Sequence, residues 1–402
     1  MVYNRSMIVK INLILMSFIR LNNIFFLLCL ILIVSGFISC TPSREFLLKR
    51  SKISGFDKRV VRVLIIKTKA RILITSKSRI KISEMRSKKI RYDGKGKKIY
   101  LTSENCKNPI IIESWGSPLG VNGKCYRGIL EIHNVLGKMH VINLISLQEY
   151  LYSVVPSEIS STWPIESMKA QAVVARTYAC YHINRKDALY HLDTSTNFQV
   201  YNGISVESSK TSRAVNETSG EIVIYRNQPV LAFFHSTCGG ITTDDKYVWK
   251  GDDKKYLKTI RCHFCKDSPC FTWNENVTLY EIQKYLRKRY RGIGKITGLF
   301  FKKKDRRVVS VVIKHKNGVI NISGNDFRLL FPIKKIKSLF FTAKKTRDGL
   351  ILHGRGWGHG VGMCQWGSRG MAEKGFSYRD IIKHYYTGIV ITNLKKHNYA
   401  ER

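Results

Sequence analysis

Ser146 to Tyr181 reads SLQEYLYSVVPSEISSTWPIESMKAQAVVARTYACY, and this stretch decides the fold. Its pattern predicts a short helix, a break at Pro156, and a second, longer helix. Pro164 suits a first helical position, where its missing N–H costs nothing, and Glu166 in the first turn complements the helix dipole. From Met168 to Ile183 the sequence is apolar nearly all the way round, which predicts a buried helix. Lys169 and Arg176 interrupt it; they stand two turns apart and share one face. Glu158 falls in the connector between the helices. A carboxylate in a tight connector, beside a buried helix with two cations on one side, is a site-like arrangement. The same residues also fit a core helix whose Lys and Arg reach solvent.

Upstream, VVRVLIIK from Val60, ARILIT and RIKIS alternate apolar with basic or polar residues, the pattern of half-buried strands. KNPIIIESW, YRGILEIHN and MHVINLI follow, separated by Gly, Pro and Asn turns. Downstream, a helix is expected over about Glu207 to Thr218, then strands through EIVIY and PVLAFFHS. Thr278-x-x-Glu281 is a capping box opening a helix to about Arg289, and Ser377-x-x-Asp380 caps a last one. Strands are expected at KITGLFFKK, RVVSVVIKH and GVINIS, a short helix at NDFRLLF, and a strand pair in KKIKSLFFTAKK. The fold class is α+β: a β-rich N-terminal region and a mixed α/β core around one long buried helix. The boundaries read 1–40 export segment, 41–140 β-rich region, 141–392 core and 393–402 tail.

The first forty residues carry Arg5, Lys10 and Arg20 ahead of an apolar run from Ile24 to Val34, then Ser35, Gly36 and Ser39-Cys40. The run is short for a transmembrane span, although Ile24 to Ile38 could serve as an uncleaved anchor. Ile38-Ser39-Cys40 resembles a lipoprotein processing site, with Phe37 a departure from the usual Leu. Either way the protein is expected in the cell envelope, exported and membrane-anchored. The formal charge is +41, with 69 Lys and Arg against 28 Asp and Glu, scattered along the chain rather than gathered in one arm. Nucleic acid, anionic envelope polymers and plain compositional bias compete to explain it. The export segment and the absence of any nucleic-acid motif disfavour the first.

Two further clusters carry chemistry. His235-Ser236-Thr237-Cys238-Gly239-Gly240 ends a strand in a glycine turn, where a ligand can approach the backbone. Cys262 and Cys265 form a C-x-x-C with Cys270 close behind and Cys238 upstream. That spacing fits disulfides such as Cys238 to one of the pair, or a structural zinc on Cys238, Cys262 and Cys265 with His235, His263 or Cys270 completing it. Cys106 and Cys125 could also pair. His353 to Gly367, HGRGWGHGVGMCQWG, has glycine at every second position from 354 to 362. In an extended chain those glycines share one face, against which a backbone or sugar ring could lie.

The residues E-Y-L-x-x-V-V-P-S-E-I, W-P-x-E-x-x-K-A-Q-A-V-x-A-R-T-Y-A, F-H-S-T-x-G-G and G-x-G-W-G-H-G-V-G-M-x-Q-W-G together resemble the stage II sporulation protein D family and its amidase-enhancer relatives. The resemblance covers roughly residues 120–390. It implies a lytic transglycosylase that cuts peptidoglycan glycan strands, with Glu158 as its single acid and base and no required cofactor. Some relatives carry a His-Cys-Cys zinc set, whose cysteine positions here hold Asp193 and Phe198, so that site is expected to be absent. Lys169 and Arg176 are expected to face substrate carboxylates, since a cation on Glu158 would oppose an acid role. Gln199, Tyr201, His235, Ser236, His359 and Gln365 are candidate sugar contacts, with Trp357 or Trp366 as stacking surfaces. The alternative is a non-catalytic wall-binding protein that enhances a partner amidase.

Overall fold

The computed structural model describes residues 59–96, 98–183, 188–195, 198–251 and 253–396. The expected export segment, with Cys40, lies outside them.

The fold is α+β. The alternation upstream of residue 146 becomes a seven-stranded sheet, in the order Leu192–Asp193, Val60–Thr68, Lys138–Ser146, Ile129–Val135, Ile110–Ser114, Ile80–Glu84, Ile90–Gly94. Neighbours run antiparallel except the first pair, which is parallel. Ile80 and Ile82 point inward along one strand and Ile110 and Ile112 along the next, as a period of two requires. Cys106 is buried and Cys125 exposed, and both are free thiols, so the pairing considered for them is not made.

Helix α1 (Leu147–Glu158) starts from Ser146, whose side chain accepts from the Glu149 N–H. The expected break at Pro156 does not occur there; the helix runs through it to Glu158. Pro156 lies in the last turn, where it removes the N–H that would bond the Tyr152 carbonyl, and the helix stops two residues later. Glu158 is therefore a helix C-terminal residue rather than part of a kinked connector. Helix α2 (Ile165–Ile183) is the long buried one. A fully buried Met or Val contributes about 1.5–3 kcal/mol. Met168, Val173 and Val174 therefore outweigh the propensity deficit of its β-branched and aromatic residues, at most about 0.7 kcal/mol each.

Helix α3 (Ser209–Glu217) follows, then a strand at Glu221–Tyr225. The continuous strand expected through PVLAFFHS is reduced to Gln228–Pro229 and Phe234–His235. Between them the backbone finds other partners, the Leu231 N–H bonding the Tyr256 hydroxyl and the Phe233 N–H the Leu231 carbonyl.

At Thr272 the chain leaves this core, and it returns at Arg355, the residue that pairs with Thr272. The excursion holds both capping-box helix α4 (Leu279–Arg289) and helix α5 (Gly324–Leu329). It also holds the antiparallel strands Ile296–Lys304, Arg307–His315 and Gly318–Ser323, and it has its own apolar core around Trp273, Val311, Phe327 and Leu352. Of the strand pair expected in KKIKSLFFTAKK, only Phe341–Lys345 forms. Helices α6 (Gln365–Glu373) and α7 (Tyr378–Tyr385) then rejoin the main core, where α2 packs against α1, α3, α6 and α7.

Of the glycine run only Gly354 lies in an extended strand, Gly349–Arg355; from Gly356 the chain leaves it. Gly356, Gly358, Gly360 and Gly362 have φ of 80°, 109°, 84° and 69°. Each sits close under another segment: a Cβ on Gly358 would stand 2.8 Å from His235 Cβ, and one on Gly362 2.0 Å from the Phe233 carbonyl oxygen. The run thus wraps residues 233–238 rather than presenting a flat face.

Candidate active site and cysteine centre

Glu158 ends α1 half-buried, its carboxyl closely surrounded by protein while part of its surface stays open. The Val200 N–H donates to its Oε1 at 2.9 Å, and the Gln365 side chain stands close enough to the same carboxyl to stabilise its charge. Both favour the ionised form, but loss of hydration outweighs them and raises the pKa from 4.5 to about 7. Among the described residues no cation pairs with Glu158. An isolated carboxyl with this pKa can hold a proton near neutral pH and release it.

The loop that delivers Val200 is anchored on both sides. Gln199 is fully buried; its Oε1 accepts from the Tyr150 hydroxyl at 3.2 Å and its Nε2 donates to the Ala175 carbonyl at 3.3 Å. Tyr201 is buried too, its hydroxyl donating to Asn143 Oδ1 at 2.7 Å. The side chains of Gln199 and Tyr201, candidates for sugar contact, are thus spent inside the fold, and their role is to seat Val200. Val200 was not legible as a site residue, because what it offers is a backbone N–H.

Lys169 and Arg176 share a face of α2, but their contacts lead elsewhere. Lys169 Nζ is 2.9 Å from both Glu166 and Glu217. Arg176, only 1% exposed, donates to the Val215 and Glu221 carbonyls at 3.1 Å each. These are bonds that tie α2 to α3 and the following strand. None of these bonds reaches Glu158.

Gln365 is the first residue of α6, and Cys364 is its N-cap. Phe234–His235 and Met363–Cys364 pair in parallel, and the Trp366 N–H donates to the Ser236 carbonyl at 3.1 Å. Strand end and helix start are thereby joined beside Glu158. Gln365 Nε2 also reaches Gln171 Oε1 at 3.5 Å, and the buried Gln171 Nε2 has no partner. Gln171 was missed because a single Gln among alanines gives no signal. Trp366 and Trp163 meet edge to face, centroids 5.2 Å apart, both half-exposed, with the Arg369 guanidinium 4.9 Å from the Trp366 ring centre.

His235 and His359 form a second group, rings 5.4 Å apart. Buried His235 bonds the Val361 carbonyl through Nδ1 at 3.1 Å, and His359 Nδ1 accepts from the Val361 N–H at 3.1 Å. Burial holds both imidazoles neutral, His235 down to about 3. Their hydrogen bonds serve the glycine loop rather than Glu158. The Ser236 hydroxyl touches that of Thr237 at 3.4 Å, and Trp357 bridges to Thr237 through the backbone.

Four buried cysteines, Cys238, Cys262, Cys265 and Cys364, place their sulfurs within 4.8 Å of one another, so the cluster could hold a structural metal such as zinc. Cys364 was hidden from sequence reasoning, since the whole excursion of 272–355 separates it from the C-x-x-C. His235, His263 and Cys270 are not part of the cluster.

A family profile described as Stage II sporulation protein matches residues 136–225, and one for a domain of unknown function (DUF8618) matches residues 255–362. The chain is 34% identical to an uncharacterised protein of Brachyspira hyodysenteriae, over 69% of this chain and 75% of that one. It is 34% identical to the stage II sporulation protein D of Bacillus subtilis, over 62% of this chain and 75% of that protein. It is 28% identical to a Bacillus subtilis protein named amidase enhancer, over 60% of this chain and 40% of that protein.

Proposed function

This chain belongs to the stage II sporulation protein D family, and from that premise we propose that it cuts peptidoglycan glycan strands as a lytic transglycosylase in the cell envelope. The observation that carries the reading is the Glu158 carboxyl: desolvated, shifted to about 7, and free of any cationic partner among the described residues. Glycosidases ordinarily use two carboxyl groups. One suffices when the substrate supplies its own nucleophile.

In that mechanism protonated Glu158 gives its proton to the glycosidic oxygen as the C1–O bond breaks. The C6 hydroxyl of the N-acetylmuramic acid ring then attacks C1, and the Glu158 carboxylate takes the hydroxyl proton as the 1,6-anhydro ring closes. No water is consumed, and Glu158 ends protonated. Gln365 suits both halves of the cycle: its amide can accept from the acid through Oε1 and donate to the carboxylate through Nε2. The half-exposed Trp163 and Trp366 offer apolar surface for a pyranose ring. The N-terminal forty residues would anchor the protein at the membrane, by a lipid on Cys40 or by an uncleaved apolar segment.

The second reading is a wall-binding protein that enhances a partner amidase, favoured by the name of one relative. Incubation with purified glycan strands separates the two. Appearance of 1,6-anhydro ends that vanish with Glu158→Gln supports cleavage; strands left intact by the unsubstituted protein support the binding role.

A further inference from the structure

We propose that Cys238, Cys262, Cys265 and Cys364 together hold one zinc ion as a tetrathiolate, and that this centre locks the start of α6, and with it Gln365, against the core. The second half rests on the reading of Glu158 given above; the first does not.

The donor set fits zinc. Four sulfurs around zinc at about 2.3 Å stand about 3.8 Å apart. Here Cys238 Sγ and Cys265 Sγ are 3.5 Å apart and all four lie within 4.8 Å. Four thiolates and one Zn²⁺ carry a net charge of −2, and the surroundings are built to receive it. The N–H groups of Cys238 and Gly367 point at Cys364 Sγ, at 3.2 and 3.3 Å, and the Tyr385 hydroxyl lies 3.2 Å from Cys262 Sγ. Arg307 adds a full positive charge. It is 1% exposed, it interacts electrostatically with Cys238, Cys364 and Cys265, and its Nε has no partner. Among the described residues no carboxylate balances it; its hydrogen bonds go to the Cys238 and Ile241 carbonyls at 2.9 and 2.6 Å. A buried guanidinium without a counter-ion is costly. An anionic metal centre beside it removes that cost.

The backbone is shaped to the same end. A Cβ on Gly367 would stand 1.9 Å from the Tyr385 hydroxyl and 2.8 Å from Cys262 Sγ, and one on Gly370 2.1 Å from the Phe264 carbonyl oxygen. Only glycine at these positions lets the C-x-x-C loop close on α6. The centre therefore clamps the glycine turn at 238–240, the C-x-x-C and the α6 N-cap across the neck of the 272–355 lobe. Gln365 follows a ligand directly, so the ion fixes where the partner of Glu158 stands.

Full-length protein purified without chelator is expected to contain one zinc per chain, released as a mercurial thiol reagent consumes four thiols beyond those outside the cluster. Cys364→Ser should lose at least nine-tenths of that zinc, while Cys270→Ser keeps it. If Cys364→Ser does not fold, cobalt-loaded unsubstituted protein still reports: the ligand-field bands of a tetrahedral cobalt tetrathiolate are expected. No bound metal, with an intact mass lowered by the hydrogens lost in disulfide formation, overturns the proposal, and so does a Cys364→Ser protein that retains full zinc. For the lock, removal of zinc should raise amide hydrogen exchange at residues 364–370 at least tenfold; unchanged protection there refutes it. A Glu158→Gln protein that still cleaves glycan would end the functional reading and leave the zinc count untouched.

Discussion

The Val200 N–H stands 2.9 Å from Glu158 Oε1, so the charge on the acid and the seating of the loop around Val200 are coupled. The bond strengthens when Glu158 ionises, yet burial still holds the pKa near 7.

Cleavage that needs protonated Glu158 should fall about tenfold per pH unit above roughly pH 7. The descending limb of kcat/KM against pH, measured on isolated glycan strands, checks this. A limb placed near pH 4.5 would mean that the carboxyl is not desolvated in solution.

The same shift has a sign in stability. The folded chain holds the Glu158 proton up to about pH 7 and the unfolded chain only up to about 4.5. Burying the carboxylate therefore costs nothing below pH 4.5, costs progressively more from 4.5 to 7, and costs a constant amount, up to about 3 kcal/mol, above 7. Glu158→Gln should raise Tm at pH 8 and leave it nearly unchanged at pH 4.

Gln365 lowers the Glu158 pKa by stabilising its ionised form. Gln365→Leu should move the descending limb of the pH–rate profile to higher pH, with a loss of kcat. A profile that keeps its midpoint while KM alone rises would assign Gln365 to substrate contact instead.

Arg176 holds the Val215 and Glu221 carbonyls from inside the core. Arg176→Met should destabilise the fold by roughly 1–3 kcal/mol, because the Val215 and Glu221 carbonyls each lose one charged donor, although Val215 keeps those of Gln148 and Thr218. Below its lowered Tm the variant should keep KM unchanged, which glycan-cleavage kinetics at low temperature can test.

Trp366 is half-exposed beside Gln365 and carries Arg369 on its face. Trp366→Ala should raise KM for glycan strands about tenfold, equivalent to about 1.4 kcal/mol of binding. A lowered Tm with KM unchanged would show that the ring serves packing alone.

Much of this was readable before any coordinates. Alternation marked the strands from Val60 to Ser146, the polar caps at Thr278 and Ser377 marked two helices, and apolarity nearly all the way round marked α2 as buried. These signals are local, so a linear reading captures them. What was lost depends on contacts between distant segments. Pro156 stands only two residues before the helix ends, and among the alternating glycines those at 356, 358 and 362 take positive φ where they pack closely on residues 233–238. Arg176 looked like a ligand for substrate, but the two carbonyls that claim it come from outside its helix. Cys364 gave no sign of joining Cys262 and Cys265, since an independent core intervenes.

The pairing of Thr272 with Arg355 has an implication for biosynthesis. Everything from α6 onward leaves the ribosome after the excursion, so Glu158 is without Gln365 until nearly the whole polypeptide has been made. A message truncated between codons 159 and 364 yields a product that has Glu158 but lacks the glutamine beside it.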